Sequence, residues 1–507
     1  MPRLSPSRTW LVLALLFAGA ALLSGVTMLD GFQPNDEGLM LQAARRISSG
    51  QVPYRDFWWY YPPGQPYLLG ALWKLFGPSL LTWRIVRVAA DATVAVLVFA
   101  LARRRAPVGL SLAAWLVAAC AMAFPTGPHP FPIALALALG ALLLVDRPLW
   151  AGALAGACAA WRIEFAAYLA LGVACSYAFS AAPARERAMR FGRFAGAGAA
   201  VTLLLFAPVV AAAGFGRSWH LLVRYPIVDF SRYQSLPFPL HYEGAVTAER
   251  VLHFYLPLVL VVGLAGAIAA VFLRARRVDP GPIAAAVFAI GMAHYLVVRP
   301  DLFHTAPLAV MVAVLGAWAL AGPWRGVPRR ALLVAAGAAA AAGFVWALAE
   351  GIDRRVRNLQ EHTVALHLPI ADGVRARPLR ARPRESSVAY GRAPVPPGKP
   401  IYVTGARADI VTSGNPFFYV AAGRDNPTRY DIAAPGVLTS APVQREIVRD
   451  LSRTRPRVVV RWAAPVTAQP EPNRAGRSSG VRILDRYLAG DYRLARRFGY
   501  YMLLVPK

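Results

Sequence analysis

Over the first 350 residues, apolar and polar positions alternate on the scale of whole helices. Apolar runs close to membrane-spanning length fall at about 10–29, 82–101, 107–124, 131–145, 194–213, 251–273, 281–298, 305–321 and 331–349. The stretch 149–180 is also apolar, but Trp161-Arg162-Ile163-Glu164 interrupts it, which predicts a helical hairpin whose second limb starts at about residue 164. The pattern therefore predicts about eleven membrane helices. The first run follows Arg3 and Arg8 and extends ~20 residues, longer than a signal-peptide core, so it reads as a retained anchor.

Between the first two runs the period changes. Leu39, Ala43 and Ile47 recur every four residues, Asn35 stands where an N-cap belongs and Gly50 where a helix ends. An amphipathic helix is expected there, opening with Asp36-Glu37. Next come Gly50-Gln51-Val52-Pro53-Tyr54-Arg55-Asp56-Phe57-Trp58-Trp59-Tyr60-Tyr61-Pro62-Pro63-Gly64. Such aromatic density beside a membrane suits either an interfacial belt or stacking surfaces for a sugar or an isoprenoid. Beyond residue 350 the long apolar runs stop. Residues 351–399 are rich in Arg and Pro with little periodicity and read as a linker. Residues 400–507 alternate strand-like runs (401–404, 458–460, 500–504) with helix-like ones (443–453, 480–488), a small α/β domain.

Charge sharpens this division. Of 507 residues, 57% are hydrophobic and 16% charged. Residues 1–350 hold 28 basic and 14 acidic side chains, and the remaining 157 residues hold 27 and 12. The second part thus has the charge density of a soluble domain and the first about half of it. The net charge of +29 does not mark a nucleic-acid binder, because in the first part it sits largely in short loops between apolar runs. If the N-terminus is cytoplasmic, the cytoplasmic segments hold sixteen Arg against Asp146, Glu186 and Asp279, whereas the outer loop 30–81 has four bases and four acids. The positive-inside rule then places loop 30–81 and the α/β domain outside. Heavy Arg and Ala use matches the codon bias of a GC-rich bacterium, so a bacterial cytoplasmic (inner) membrane is expected. Cys120, Cys158 and Cys175 all lie in apolar runs and imply no disulfide framework.

The candidate chemistry gathers at the outer helix ends. Asp36 and Glu37 point ~100° apart on a helix, so they cannot serve one atom. Their alternative role is to complement the helix N-terminus. Arg84 and Arg87 share a helix face with Asp91, which suits a phosphate or an interfacial salt bridge. Arg162 and Glu164 sit at the hairpin tip, as substrate contacts or as a local ion pair. In Arg299-Pro300-Asp301-Leu302-Phe303-His304, the acid and the histidine are helical neighbours, and the alternative is a capped helix start. Asp plus His would admit a divalent cation but does not define a metal site. There is no nucleotide-binding glycine loop.

The acidic pair after the first membrane helix, then Gly-x-x-Pro-Tyr-x-Asp at 50–56, Tyr-Pro-Pro-Gly at 61–64 and Trp83-Arg84 opening a helix, resembles the GT-C superfamily. More narrowly, it is similar to family 39-type transferases, which include protein O-mannosyltransferases and the lipid A aminoarabinose transferase. The resemblance is strong over 28–105 and diffuse beyond, and Asn426-Pro427-Thr428-Arg429-Tyr430 resembles a recurrent stretch in the tails of such enzymes. It implies a polyprenyl-phosphate sugar as donor and a glycan, lipid or protein as acceptor, with inversion. It makes Asp36 the catalytic carboxylate, assisted by Glu37. Arg84, Arg87 and Arg299 would bind the phosphate, and Tyr54, Asp56, Tyr60, Tyr61, His129, Arg162, Glu164, Asp301 and His304 the substrates. Many members carry an acid in the second outer loop, whereas this chain has Phe124-Pro125-Thr126-Gly127-Pro128-His129-Pro130. A lipid transporter or flippase and an inactive assembly protein are the competing classes. No internal repeat supports the transporter.

Overall fold

The structure, a computed structural model, describes residues 6–31, 33–123, 130–238, 254–274, 280–321, 353–471 and 473–507. Ten of the eleven predicted apolar elements are helices: α1 (Pro6–Gly25), α4 (Leu80–Arg103), α5 (Val108–Met122), α6 (Phe131–Leu143), α7 (Pro148–Ala159), α8 (Ile163–Ala178), α9 (Ala184–Ala213), α11 (Leu256–Arg274), α12 (Pro280–Val298) and α13 (Leu302–Ala321). The eleventh, 331–349, lies outside the described residues. Among the described residues, five helices are long and apolar enough to cross a membrane: α1, α4, α9, α12 and α13. The outward faces of α1 (Trp10, Leu11, Leu15, Leu22) and α9 (Leu203, Leu204) are exposed and apolar, as lipid-solvated helices require. The chain is a multi-pass membrane protein.

Close backbone approach holds the bundle together. A Cβ on Gly152 or Gly156 of α7 would strike the carbonyls of Phe194 or Gly198 on α9. Without a hydrophobic drive between lipid-bathed helices, such small-residue seams supply the contact. Among the described residues, the basic loops after α4, α6 and α8 share one end of the bundle, where Arg104 donates to the Leu143 carbonyl and pairs with Asp146 at 3.8 Å, Tyr177 of α8 donates to the Val145 carbonyl and Arg187 donates to the Ala178 carbonyl. Arg84, near the start of α4, stands at the opposite end.

At that opposite end, α2 (Asp36–Ser48) and α3 (Gly64–Phe76) flank the aromatic loop. After α9 the chain continues as α10 (Phe215–Trp219) and a π-helix (His220–Phe230) that brings Tyr225 beside Trp58. The C-terminal domain holds a four-stranded sheet in the order β3-β4-β6-β5: β3 (Tyr402–Gly405), β4 (Val459–Trp462), β5 (Tyr492–Phe498) and β6 (Tyr501–Pro506). β3 and β4 are parallel, and the other pairs are antiparallel. Strand alternation sorts its two faces. Tyr402, Val459 and Leu504 face the helices α17 (Ala441–Thr454) and α18 (Ile483–Asp491). Val403, Val460 and Leu503 share a core with α2 and the aromatic loop.

Residues 353–399 correct the linker expectation, for they fold as part of this domain. α14 (Asp353–Gln360) leads to the paired strands β1 (Val364–Ala365) and β2 (Arg375–Ala376) and to α15 (Pro378–Arg392). Ile370, Val374, Ala381, Val388 and Val395 are buried in the shared core. Leu29 and Gly31, just after α1, hydrogen-bond to the backbone of Arg375.

Candidate functional site

The frame of the site is a buried ion pair. Arg84 and Glu37 are both fully buried, with Arg84 Nε 2.8 Å from Glu37 Oε1 and Nη2 3.0 Å from Oε2. The remaining guanidinium N–H groups go to the carbonyls of Met28, Asp30 and Gly31, and Gln33 N donates to Glu37 Oε2. All five N–H donors of Arg84 are therefore spent inside the protein. This corrects two expectations: Arg84 is not poised for a phosphate, and Glu37 secures the exit of α1 to α2 instead of facing a substrate. Arg87 lies one turn further in, also buried, with Nε 3.9 Å from Asp91, which accepts from Ser24 Oγ of α1 at 2.7 Å. The predicted Arg87–Asp91 pairing is present, and it ties α4 to α1.

α2 is buried on more than its predicted face, because the C-terminal domain covers it. A Cβ on Gly38 would overlap the backbone of Phe417, so only glycine lets α2 meet α16 (Phe417–Ala422) this closely. Arg46 pairs with Asp431 at 2.6 Å and donates to Thr428 O at 2.7 Å. Asn426 also bonds Asp431, so the Asn-Pro-Thr-Arg-Tyr stretch clasps the helix. Asn35 does not make the expected side-chain cap on α2. Its Nδ2 donates to Asp36 Oδ1 at 3.0 Å, and its Oδ1 accepts from Gly414 N at 3.2 Å.

The aromatic loop divides its candidates. Tyr54, at φ +67°, is fully buried and gives its hydroxyl to the Tyr61 carbonyl at 2.6 Å. Asp56 accepts from Val52 N at 2.7 Å and pairs with Arg55. Both residues build the turn and do not line a site. Tyr60 and Tyr61 stack at 4.2 Å with their hydroxyls 2.8 Å apart, and Trp58, Tyr225 and Phe230 wall Tyr60.

From Tyr61 a continuous polar chain runs across the bundle end. Arg162 lies 5.5 Å from the ring centroids of both Tyr61 and Tyr295, donates to Tyr295 Oη at 3.1 Å and pairs with Glu164 at 3.1 Å. The ring of Tyr295 is 4.5 Å from that of His304. His304 Nδ1 sits 2.6 Å from Asp301 Oδ1, which also caps His304 N at 2.9 Å. Asp301 Oδ2 is 3.4 Å from Arg299 Nε, and Arg299 also holds the Gln234 carbonyl and Glu471, the latter at 3.1 Å. The structure thus gathers Tyr60, Tyr61, Arg162, Glu164, Arg299, Asp301 and His304. His129 lies outside the described residues. Sequence reasoning did not single out Tyr295, Gln234 or Glu471, which lie far along the chain from their partners in no local motif. Among the described residues, no group of three His, Cys, Asp or Glu side chains could hold a metal ion.

Asp36 lies within electrostatic reach of Arg299, Asp301, Tyr60 and Tyr61. Burial pushes its carboxyl above the ordinary value of 3.8, against the Asn35 hydrogen bond and the Arg299 charge. Burial also raises Asp301, but His304 and Arg299 outweigh it and hold that carboxyl low. Two carboxyls of one cluster are thereby split into a more basic and a more acidic one, which is how acid–base roles are separated. Burial keeps the Tyr60 and Tyr61 hydroxyls protonated by raising both.

No family model and no curated protein matches the chain. Solved structures do. ArnT from Cupriavidus metallidurans bound to undecaprenyl phosphate aligns over 98% of both chains, with TM-score 0.54 and 15% identity. Its apo state aligns over 99% of this chain and 98% of its own, with TM-score 0.52 and 13% identity. The chain has the GT-C fold. Arabinofuranosyltransferase AftD from Mycobacteria aligns over 100% of this chain and 40% of its own length, with TM-score 0.49 and 15% identity. The GT-C likeness spans both the helical bundle and the strand-containing domain.

Proposed function

We propose that this protein is an inverting glycosyltransferase that moves a sugar from a polyprenyl-phosphate donor to an extracytoplasmic lipid, polysaccharide or protein acceptor. Its membrane would be the bacterial cytoplasmic membrane, with the site and the C-terminal domain outside. The observation that carries this reading is the cluster itself: a buried carboxyl within electrostatic reach of an Arg-bearing, aromatic-walled patch, at the end of a GT-C bundle opposite Arg104 and Asp146.

The chemistry follows from those groups. The acceptor hydroxyl attacks the anomeric carbon as the bond to the phosphate oxygen breaks, and its proton passes to Asp36. A base with a raised pKa is better matched to that transfer than an ordinary aspartate. The departing polyprenyl phosphate keeps the electron pair, and Arg299, always charged and able to bind in a fork, meets it. Tyr60 and Tyr61 offer ring faces and protonated hydroxyls to the sugar, and Arg162 with Glu164 fixes that wall.

Purified protein given a labelled polyprenyl-phosphate sugar and extracted envelope acceptors tests the activity. Release of polyprenyl phosphate with label on the acceptor is expected. Comparative lipid and glycan mass spectrometry of a deletion strain identifies sugar and acceptor together, through one sugar-sized mass loss. Transport of the lipid in liposomes with no bond formed would overturn the reading.

A further inference from the structure

Arg299 is met by the C-terminal domain through Glu471, and nothing in the reaction above requires an acid there. The Glu471 carboxylate is held by its own loop. Asn473 Nδ2 donates to Oε2 at 2.9 Å, and Asn473 Oδ1 accepts from Ala475 N at 2.7 Å. Gly476, at φ +71°, packs the end of the turn against Gln469 and Pro470. The loop is anchored at both ends. Thr412 Oγ1 bonds Gln469 O at 2.9 Å, and Arg474 lies 5.8 Å from the ring centroid of Tyr233, next to the Gln234 whose carbonyl Arg299 holds. The side chains of Arg299 and Glu471 are 24% and 26% exposed, so the pair is not sealed in the interior.

With Asp301 3.4 Å away on the other side, one guanidinium faces two carboxylates. An anion approaching Arg299 must therefore come close to Glu471. The two lipid phosphates of the proposed reaction differ in charge. A sugar phosphodiester carries one negative charge, whereas the monoester left after transfer carries about 1.5 to 2 near neutral pH, as other phosphate monoesters do.

We infer that Glu471 discriminates between these anions: a carboxylate fixed beside the phosphate site that opposes the monoester product more strongly than the diester donor, and so favours product release. This rests on the reading of Arg299 as the phosphate-binding group. Its role would be specificity supplied by the soluble domain, distinct from a clamp that only joins two parts of the chain.

The test is binding by purified full-length protein in detergent, with undecaprenyl phosphate, its methyl diester and neutral undecaprenol as probes. Glu471→Gln and Glu471→Ala should bind the monoester about tenfold more tightly, within the range a unit charge a few ångströms away exerts near a protein surface. The diester should gain less and undecaprenol nothing, and product inhibition should deepen accordingly. If both variants melt like wild type or lower and bind the monoester no better, Glu471 is a clamp and the inference fails. If the wild-type protein binds neither phosphate, the phosphate-site reading fails as well, so the two failures are distinguishable.

Discussion

Removing either member of the Glu37–Arg84 pair should damage the fold and leave donor recognition alone. Breaking a buried pair by deleting one partner costs about 3–5 kcal/mol, because a charge is left in the interior without its counterion. Both side chains have zero exposure, so solvent relieves neither. In Glu37→Gln the arginine keeps the carbonyls of Met28, Asp30 and Gly31, which puts the cost near the lower bound, about 3 kcal/mol. In Arg84→Met the carboxylate keeps only the Gln33 amide, which puts it near the upper bound, about 5 kcal/mol. The double variant buries no unpaired charge and should lose less than the two costs together, with a coupling of about 1–3 kcal/mol. Thermal unfolding in detergent gives the ranking, and steady-state assays on the folded fraction give the donor KM. Arg84→Met with wild-type stability and a strongly raised donor KM would refute the reasoning and return Arg84 to the phosphate site.

Further outcomes are expected at neighbouring positions. Asp36→Asn should lower kcat by roughly 10²–10⁴-fold, as loss of a general base does, while polyprenyl phosphate still binds; undiminished turnover would remove Asp36 from catalysis. Because burial raises Asp36 and the base works ionised, the rate should fall with decreasing pH at a value above the ordinary 3.8. Asn35→Ala removes a hydrogen bond to the ionised form, so that acid limb should move to still higher pH; a shift downward contradicts the assignment. Gly38→Ala should separate α2 from α16, since the added methyl meets backbone that cannot step aside; limited proteolysis should then cut near residues 353–399, and unchanged resistance argues against the packing.

The membrane helices were legible because lipid demands long apolar runs, and each run needs no distant partner to be recognised. The aromatic loop and the acidic pair were legible for the same local reason. What stayed hidden was where each cation looks. Arg84, Arg87 and Arg299 read alike in the sequence, yet one is spent on a carboxylate 47 positions earlier, one on the acid four positions later in its own helix, and one opens onto the cluster. Residues 353–399 were misread because their buried positions are scattered singly among arginines and prolines. Ile370, Val374, Ala381 and Val388 have no continuous period until two strands and a helix arrange them. The amphipathic pattern of α2 marked one buried face, but no local signal announces the covering layer contributed by residues 414–431.

That shared core sets a timetable for biogenesis. The loop carrying Phe57, Trp58 and Trp59 emerges early, yet Phe417, Phe418 and Tyr419, which complete its core, are made some 360 residues later. At ~5–20 residues per second, the ribosome leaves roughly 20–70 s during which an aromatic-rich segment waits without its lid. Over that interval the nascent chain is most vulnerable to aggregation and proteolysis, and a holding chaperone or the membrane surface would have to shelter it. Truncating the last hundred residues would therefore leave the early loop permanently unsheltered, and quality-control proteases should reveal this as loss of the whole polypeptide.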